Sequence, residues 1–336
     1  MSLVAAATGI GSWPGTAPRR IAEVIVGELH QLPYLPELPA RGVGADTIGR
    51  AGALLVDVAI DTVPRGYRIV ARPGSVMRRA ASLLDEDLDA LEEAWEKAGG
   101  GDGRAAVKVQ APGPITLVAA LELPNGHRAI TDRGAVRDLA GSLAEGVAVH
   151  RAEVARRLGV PVVVQFDEPL LTAALAGRLA GVTAMTPVHP VDVVLAMRLL
   201  EDCVGAVGDQ ALVHICSPDL PWDALQRSGI PALSIDARTL DDAALDGLGG
   251  FIDSGRSVVL GLLPTLAPDV RPTAEDVATA AATITDRLGF SRSVLAERVG
   301  ISPVCGLAAA TDDWARAATA LTQRAAEAIA GDAGAV

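Results

Sequence analysis

The sequence predicts an α/β protein built as a single (β/α)₈ TIM barrel. Three observations support this fold class: short apolar runs alternate with longer amphipathic stretches, the runs number eight, and no linker-like change of composition divides the chain. Strands that alternate with helices indicate βαβ units and therefore a parallel sheet. Eight such strands suit a closed barrel better than an open sheet, and barrels often have a length similar to the 336 residues found here.

The predicted strands are short apolar runs, and most of them are followed at once by Gly, Pro or a polar residue. They cover residues 5–10, 68–71, 105–110, 161–166, 211–215, 232–235, 257–261 and 300–304. The second run is the weakest, because residues 31–75 are rich in Pro, Gly and Arg and could hold a large loop. We expect residues 1–336 to form one catalytic domain, with the small and polar residues 331–336 as a frayed tail.

The stretches between these runs have the spacing of amphipathic helices. They cover residues 18–29, 47–60, 76–97, 131–157, 190–204, 273–288 and 312–329. Start signals support two of them: Pro190 precedes an apolar stretch, and Thr273 is followed by acids that suit the first turn of a helix.

Composition restricts the classes of partner. The net charge of −12 repels phosphate backbones, so we expect no nucleic-acid partner. No uninterrupted apolar stretch reaches the roughly 18 residues of a transmembrane helix, and the N-terminus lacks the basic and apolar regions of a signal peptide. We therefore expect a cytoplasmic protein that acts on small molecules and has no membrane partner.

Polar, thiol and turn-forming residues cluster at one end of the predicted strands. In a (β/α)₈ barrel the active site lies at the C-terminal ends of the strands. The candidate residues at these ends are Ser12, Asp167, His214, Cys216, Asp236 and Cys305. The neighbouring Glu168, beside Pro169, is expected only to cap a helix.

His214 and Cys216 are two residues apart on a predicted strand, so their side chains project to the same face. Cys305 ends another strand of the same barrel and reaches the same mouth. One imidazole and two thiolates suit zinc, and three protein ligands leave a position open, as in a catalytic site.

Simpler interpretations exist for each of these residues. A lone buried Cys is usually a small hydrophobe, and a lone His on a strand is usually a core residue with its hydrogen bonds made. The third thiol, at another strand end and followed by Gly306, favours the metal site. A Cys216–Cys305 disulfide is disfavoured in a reducing compartment, and Cys203, inside a helical stretch, is expected in the core.

Short motifs occur in a distinctive order between about Gly9 and Trp314. They are Ile-Gly-Ser, Gly-Pro-Ile-Thr, Asp-Glu-Pro, His-x-Cys, an acid about one βα unit later, and Cys-Gly-Leu. This order resembles the C-terminal catalytic barrel of cobalamin-independent methionine synthase. The resemblance implies a (β/α)₈ barrel in methionine biosynthesis that transfers a methyl group to a thiol, with homocysteine as the favoured acceptor.

The resemblance also assigns roles to individual residues. It implies zinc ligation by His214, Cys216 and Cys305, with Asp236 at the position where the family has a Glu ligand. Ser12 and Asp167 match residues that contact the amino acid portion of homocysteine, which makes Asp167 the candidate catalytic carboxylate. Glu37 is a stand-in for the family's His-Gly-Glu element, which holds the substrate amine.

The sequence departs from the family pattern in three ways. It has one barrel where the full-length enzyme has two, and Asp236 is one methylene shorter than Glu. Residues 261–265 lack the Asp and the His that follow the seventh strand in the family, where the His is implicated as the acid for the folate leaving group. This absence disfavours methyltetrahydrofolate as donor and leaves a methyl corrinoid protein, a sulfonium or an epoxide as candidates.

Two other classes of protein remain open at this stage. One is a metal-free barrel of the uroporphyrinogen decarboxylase type, which would use Arg41, Arg65 and Arg68 for substrate carboxylates but would leave His214 and the two thiols without a role. The other is a non-catalytic binding protein that retains the fold, an alternative supported by the missing seventh-strand His.

Overall fold

A computed structural model describes residues 5–101, 105–183, 185–238 and 240–331 of the chain. The strands of this part are β1 (Ala59–Val63), β2 (Gly66–Val70), β3 (Val107–Pro112), β4 (Leu121–Glu122), β5 (Val162–Asp167), β6 (Ala211–Ile215), β7 (Ala232–Asp236), β8 (Ser257–Leu263) and β9 (Val299–Pro303). The tail predicted for residues 331–336 lies outside the described residues except for Gly331, which ends the last helix. The assignment of the whole chain to one domain stays a prediction.

The helices of the described part alternate with the strands. They are α1 (Pro18–Glu28), α2 (Thr47–Ala51), α3 (Ser75–Lys97), α4 (Pro114–Ala120), α5 (Arg133–Leu158), α6 (Leu171–Leu175), α7 (Val193–Val207), α8 (Trp222–Arg227), α9 (Asp242–Asp253), α10 (Ala274–Arg287), α11 (Arg292–Arg298) and α12 (Asp312–Gly331), with short 3₁₀ turns at Pro39–Arg41 and Ala129–Thr131. Among these described helices, none is both long enough and apolar enough to span a bilayer.

The core of the molecule is a curled parallel sheet in the order β3-β5-β6-β7-β8-β9. Two extended segments, residues 5–12 and 31–37, close the gap between β9 and β3. Thr8 N–H donates to the carbonyl of Ile301 at 3.1 Å, and Leu35 N–H donates to that of Lys108 at 2.9 Å. The two segments are joined to each other through Glu37 N–H and the Gly11 carbonyl at 3.0 Å. The predicted TIM-barrel fold class is therefore confirmed.

The prediction that residues 68–71 form the second barrel strand was wrong. Residues 68–71 overlap β2, which pairs with β1 in an antiparallel hairpin and with β4 in a separate three-stranded sheet. The second barrel segment is instead 31–37, inside the region that resembled a loop. Pro33 and Pro36 lack N–H groups, so the segment hydrogen-bonds to its neighbours through only some of its residues, and the regular strand pattern is lost.

The helix predicted over residues 47–60 was also too long. Only α2 forms there, and the chain becomes extended again at β1. Gly52 follows α2 directly, and Asp57 adopts a φ of 58°, a left-handed conformation that does not continue a helix. The other predicted helices agree with the structure to within a few residues.

The interior of the barrel changes character along its axis. Near the N-terminal ends of the strands, seven neighbouring barrel segments each contribute one residue to a small apolar cluster: Ala6, Leu32, Ala106, Val163, Leu212, Ala232 and Val259. Two residues further along, on the same face, five of these seven segments carry a buried polar side chain: Thr8, Lys108, Gln165, His214 and Ser234. The apolar floor therefore supports a polar layer, above which the site opens at the C-terminal ends.

Candidate active site

The barrel brings together the three residues predicted to hold zinc. The ligand atoms of His214, Cys216 and Cys305 all lie within 4.8 Å of one another, the only such group of potential metal ligands found in the described part of the chain. The two sulfur atoms are 3.1 Å apart. His214 lies on β6, Cys216 follows that strand directly, and Cys305 lies two residues beyond the end of β9.

The imidazole of His214 has one nitrogen in use and one free. Nδ1 lies 3.0 Å from Ser234 Oγ on the adjacent strand β7, whereas the buried Nε2 has no hydrogen-bond partner. A buried polar atom without a partner is rare because it loses its hydrogen bond to water and gains nothing. A metal ion bound by Nε2 and the two sulfurs would satisfy this atom, so the residues present fit zinc.

The two thiols form an asymmetric pair. The hydrogen bond from Cys216, aided by the nearby imidazole of His214, lowers the pKa of Cys305, although burial opposes this shift. The same hydrogen bond, together with burial, raises the pKa of Cys216. The pair therefore holds a thiolate at neutral pH, which is the form of cysteine that binds metals. Cys203 lies in the core, as expected, and is fully buried.

Asp236 does not belong to this group of ligand atoms. Its carboxylate accepts hydrogen bonds from the backbone N–H of Arg238 at 3.0 Å and from the guanidinium of the same residue at 3.0 and 3.2 Å. The assignment of Asp236 as a fourth zinc ligand stays a prediction, and in this structure its carboxylate forms an ion pair instead.

A cavity of about 280 Å³ opens beside the His/Cys group. Every predicted site residue except Asp236 lines it: Ser12, Glu37, Asp167, His214, Cys216 and Cys305. Neither lysine nor arginine is among the described residues that line this cavity. The cavity therefore combines soft metal ligands on one wall with carboxyl groups and a hydroxyl on the others.

The two carboxyl groups of the cavity are buried. Burial raises the pKa of Glu37 to about 7, although the charge of Arg50 opposes the shift. Burial also raises the pKa of Asp167 to about 6, opposed by His214 and Lys108. Each carboxyl group would gain by contact with a cation, because a positive charge stabilises the ionised form that burial disfavours.

Ser12 contacts the two residues that follow Cys305, Gly306 and Leu307. Leu307 N–H donates to the Ser12 carbonyl at 2.8 Å. A Cβ atom at Gly306 would lie 2.0 Å from Ser12 Oγ, so only glycine leaves the hydroxyl in its place. The Ile-Gly-Ser and Cys-Gly-Leu motifs therefore form one structural unit at the rim of the barrel.

Glu168 has a structural role, as expected of a helix cap, but it caps a neighbouring helix. Its carboxylate accepts from the backbone N–H groups of Ile115 and Thr116, both at 2.8 Å, and from Thr116 Oγ1 at 2.7 Å. These groups lie in the first turn of α4, where backbone N–H groups have no helical partner. A Cβ atom at Gly113 would lie 2.3 Å from Glu168, so this glycine makes room for the cap.

The arginines that a decarboxylase-type site would use are engaged elsewhere. Arg41 pairs with Asp87, and both Arg65 and Arg68 pair with Glu122. None of the three lines the cavity. This arrangement gives no support to a site for several substrate carboxylates.

Sequence reasoning missed several polar residues around the site. Lys108, Gln110, Gln165 and Ser234 are buried in the barrel interior. The available signal was a polar residue at every second position of otherwise apolar runs, as in Val107-Lys-Val-Gln. Such alternation marks a strand with one polar face, and in a closed barrel that face is the interior.

The structure is a parallel α/β barrel with a His/Cys/Cys group and two buried carboxyls at its C-terminal mouth, the end at which α/β-barrel enzymes have their active sites. The family described as cobalamin-independent synthase, catalytic domain, matches residues 4–328, and the chain belongs to this family. The resemblance inferred from the motifs is thus confirmed, and the protein is a methionine synthase-like enzyme. A cobalamin-independent family speaks against a corrinoid protein as donor.

One solved structure agrees with the fold. A B12-independent methionine synthase from Shewanella sp. W3-18-1 in complex with selenomethionine is similar with a TM-score of 0.59 at 14% identity, covering 100% of both chains. A GH113 β-1,4-mannanase matches more weakly, with a TM-score of 0.40 at 11% identity over 98% of each chain. No curated protein matches the sequence.

Proposed function

We propose that this protein transfers a methyl group to the thiol of homocysteine, with His214, Cys216 and Cys305 holding a zinc ion. One observation carries the proposal: two sulfurs and an unpartnered imidazole nitrogen converge on the wall of a cavity that also contains buried carboxyl groups. Membership of the cobalamin-independent synthase family supports methyl transfer as the reaction.

The donor set is suited to zinc and to thiol chemistry. An imidazole and two thiolates are soft ligands that favour zinc over magnesium or calcium. A zinc ion bound there would hold the acceptor sulfur as a thiolate, a form that a free thiol with a pKa of about 8.5 scarcely populates at neutral pH. A hydrogen bond between Nδ1 of His214 and Ser234 Oγ keeps the ring oriented, with Nδ1–H as the donor when Nε2 binds a metal ion.

The other lining residues suit the amino acid part of the acceptor. Asp167 and Glu37 offer buried carboxylates to its ammonium group, and Ser12 offers a hydroxyl at the rim. A cavity lined by two acids, and by neither lysine nor arginine among the described residues, favours a cationic group over an anionic one. Asp167 thereby holds the acceptor in place for attack on the methyl donor.

The donor is left unassigned in this proposal. Residues 261–265 offer neither the Asp nor the His of the family at the end of β8, so the donor differs from a folate that requires that acid, or another residue supplies the proton. We place the activity in the cytoplasm, a proposal supported by the free thiols of Cys203, Cys216 and Cys305.

Metal analysis combined with spectroscopy tests the proposal. Purified protein should contain about one zinc ion per chain, and the zinc-edge absorption spectrum should gain a sulfur neighbour when homocysteine is added. Cys305→Ser should lose both zinc and thiol alkylation, while the matched variant Cys203→Ser, altered only in the core, should keep both. Turnover by zinc-free protein, or full zinc retention by Cys305→Ser, would contradict the proposal.

A further inference from the structure

Lys108 is a fully buried lysine in the polar layer of the barrel, directly below the site. It lies on β3 and does not line the cavity. Its ammonium nitrogen lies within hydrogen-bond distance of three acceptors: the Gln165 Oε1 at 2.8 Å, the Ile10 carbonyl at 3.1 Å and the Gln110 Oε1 at 3.4 Å. An ammonium group has three donors and no acceptor, so these partners match its charged form.

The contact with Lys108 helps to fix which way the Gln165 side chain is turned. Because an ammonium group can only donate, the amide oxygen of Gln165 must face Lys108 and its NH₂ group must face the other way. That NH₂ group donates to Asp167 Oδ1 and to the Ile10 carbonyl, each at 2.7 Å. Without the lysine, the amide oxygen would lose its partner, and the Gln165 side chain would be held from the NH₂ side alone.

We infer that Lys108 is a positioning residue that acts through Gln165 to hold the Asp167 carboxylate ready for the ammonium group of the thiol substrate. This inference rests on the proposed function, since it assigns the ligand of Asp167 as the amine of the acceptor. It adds a residue outside the cavity to the recognition of that amine. Burial lowers the pKa of Lys108, and the charges of Asp167 and Glu37 oppose this shift.

The chain offers a matched pair of variants and a control. Lys108→Met removes the ammonium group and keeps a side chain of similar length, while Gln165→Glu keeps an acceptor for Lys108 but removes the donor to Asp167. Gln110→Met is the control, because Gln110 is also buried beside Lys108 but donates to the Leu35 carbonyl at 2.7 Å and makes no hydrogen bond to Asp167.

The test measures binding of homocysteine and of its desamino analogue to the zinc-loaded proteins by calorimetry, together with zinc content. Lys108→Met and Gln165→Glu should weaken homocysteine binding about tenfold or more, the range expected for loss of a charge-assisted contact. Binding of the desamino analogue, which has no ammonium group, should change less than about twofold. Zinc content should stay the same, and Gln110→Met should bind both thiols as the wild type does.

The outcomes separate this inference from the proposed function. If both variants keep the wild-type preference for homocysteine over the desamino analogue, the role of Lys108 is refuted while the proposed function stands. If the zinc-loaded wild type binds neither thiol, both the proposed function and this inference are refuted. Should Lys108→Met not fold, Gln165→Glu alone tests the inference, because Lys108 is inferred to act through the Gln165 donor that this variant removes. Retention of the wild-type preference in that variant would refute the inference.

Discussion

The Oγ atom of Ser234 lies 3.0 Å from Nδ1 of His214, on the inner face of two adjacent barrel strands. The two residues are direct neighbours in the register of β6 and β7, so the contact follows from the pairing of the strands. The contact occupies Nδ1 and leaves the other ring nitrogen, Nε2, available to bind the same metal ion as the two cysteine sulfurs. The hydroxyl of Ser234 therefore orients the proposed zinc ligand without itself being one of the three residues that would hold the ion.

Loss of this hydroxyl should weaken metal binding without unfolding the protein. Ser234→Ala is expected to lower zinc affinity by about ten- to a hundredfold, the usual effect of removing a group that orients a metal ligand. Competition with a chromophoric chelator measures the change. Ser302→Ala is the control, since the buried Ser302 hydroxyl donates to the Pro303 carbonyl, and it should leave zinc affinity unaltered. Equal losses in the two variants would refute the role of Ser234.

The adjacent acids Asp167 and Glu168 should respond oppositely to substitution. Glu168→Gln replaces an acceptor by a donor that faces the N–H groups of α4, and should lower the free energy of unfolding by about 1–3 kcal/mol. Asp167→Asn should change stability little but weaken homocysteine binding. Urea unfolding and calorimetric titration of both variants check this. A large stability loss in Asp167→Asn, with unchanged binding, would contradict the division of roles.

Two glycines of α5 provide a matched test of the packing of the barrel. A Cβ atom at Gly146 would lie 1.7 Å from the Leu54 carbonyl oxygen, whereas one at Gly141 meets nothing within 4 Å. Gly146→Ala should therefore cost about 1–3 kcal/mol or more of unfolding free energy, because backbone must move. Gly141→Ala should stabilise by roughly 0.5–1 kcal/mol through helix propensity. The same sign of change for both would show that α5 packs differently.

His150 should make the protein sensitive to acid. Burial, with a smaller effect of Arg50, lowers the pKa of His150 from 6.5 to about 3. Between these two pH values the unfolded state binds a proton that the folded state refuses, so the free energy of unfolding falls as the pH falls. His150→Gln removes this pH dependence. Between about pH 7.5 and 5 the free energy of unfolding should therefore fall by about 2 kcal/mol less in the variant than in the wild type.

Urea unfolding at both pH values measures this difference. Metal loss in acid affects the wild type and His150→Gln alike, so the comparison isolates the histidine. Parallel losses in the two proteins would mean that His150 takes up its proton in the folded state.

Much of the fold and of the site could be predicted because the relevant signals are local. Runs of alternating apolar residues, the helix start at Thr273 and the spacing of His214 and Cys216 each involve neighbours in the chain. The rule that strand ends share one rim then placed Ser12, Asp167 and Cys305 near the same mouth, where the structure has them lining one cavity. The extended barrel segment at residues 31–37 was not predicted, because its prolines give it the composition of a loop.

By itself, the sequence determined the class of fold, most of the strands and helices, and the set of thiol and imidazole side chains at the strand ends. Only the tertiary structure decided which of these atoms meet. Strand register and barrel closure set the 3.1 Å between the two sulfurs and place Lys108 and Gln165 beneath Asp167. The reason is physical: the pairing of distant strands depends on the packing of the whole barrel, which no short stretch of chain contains.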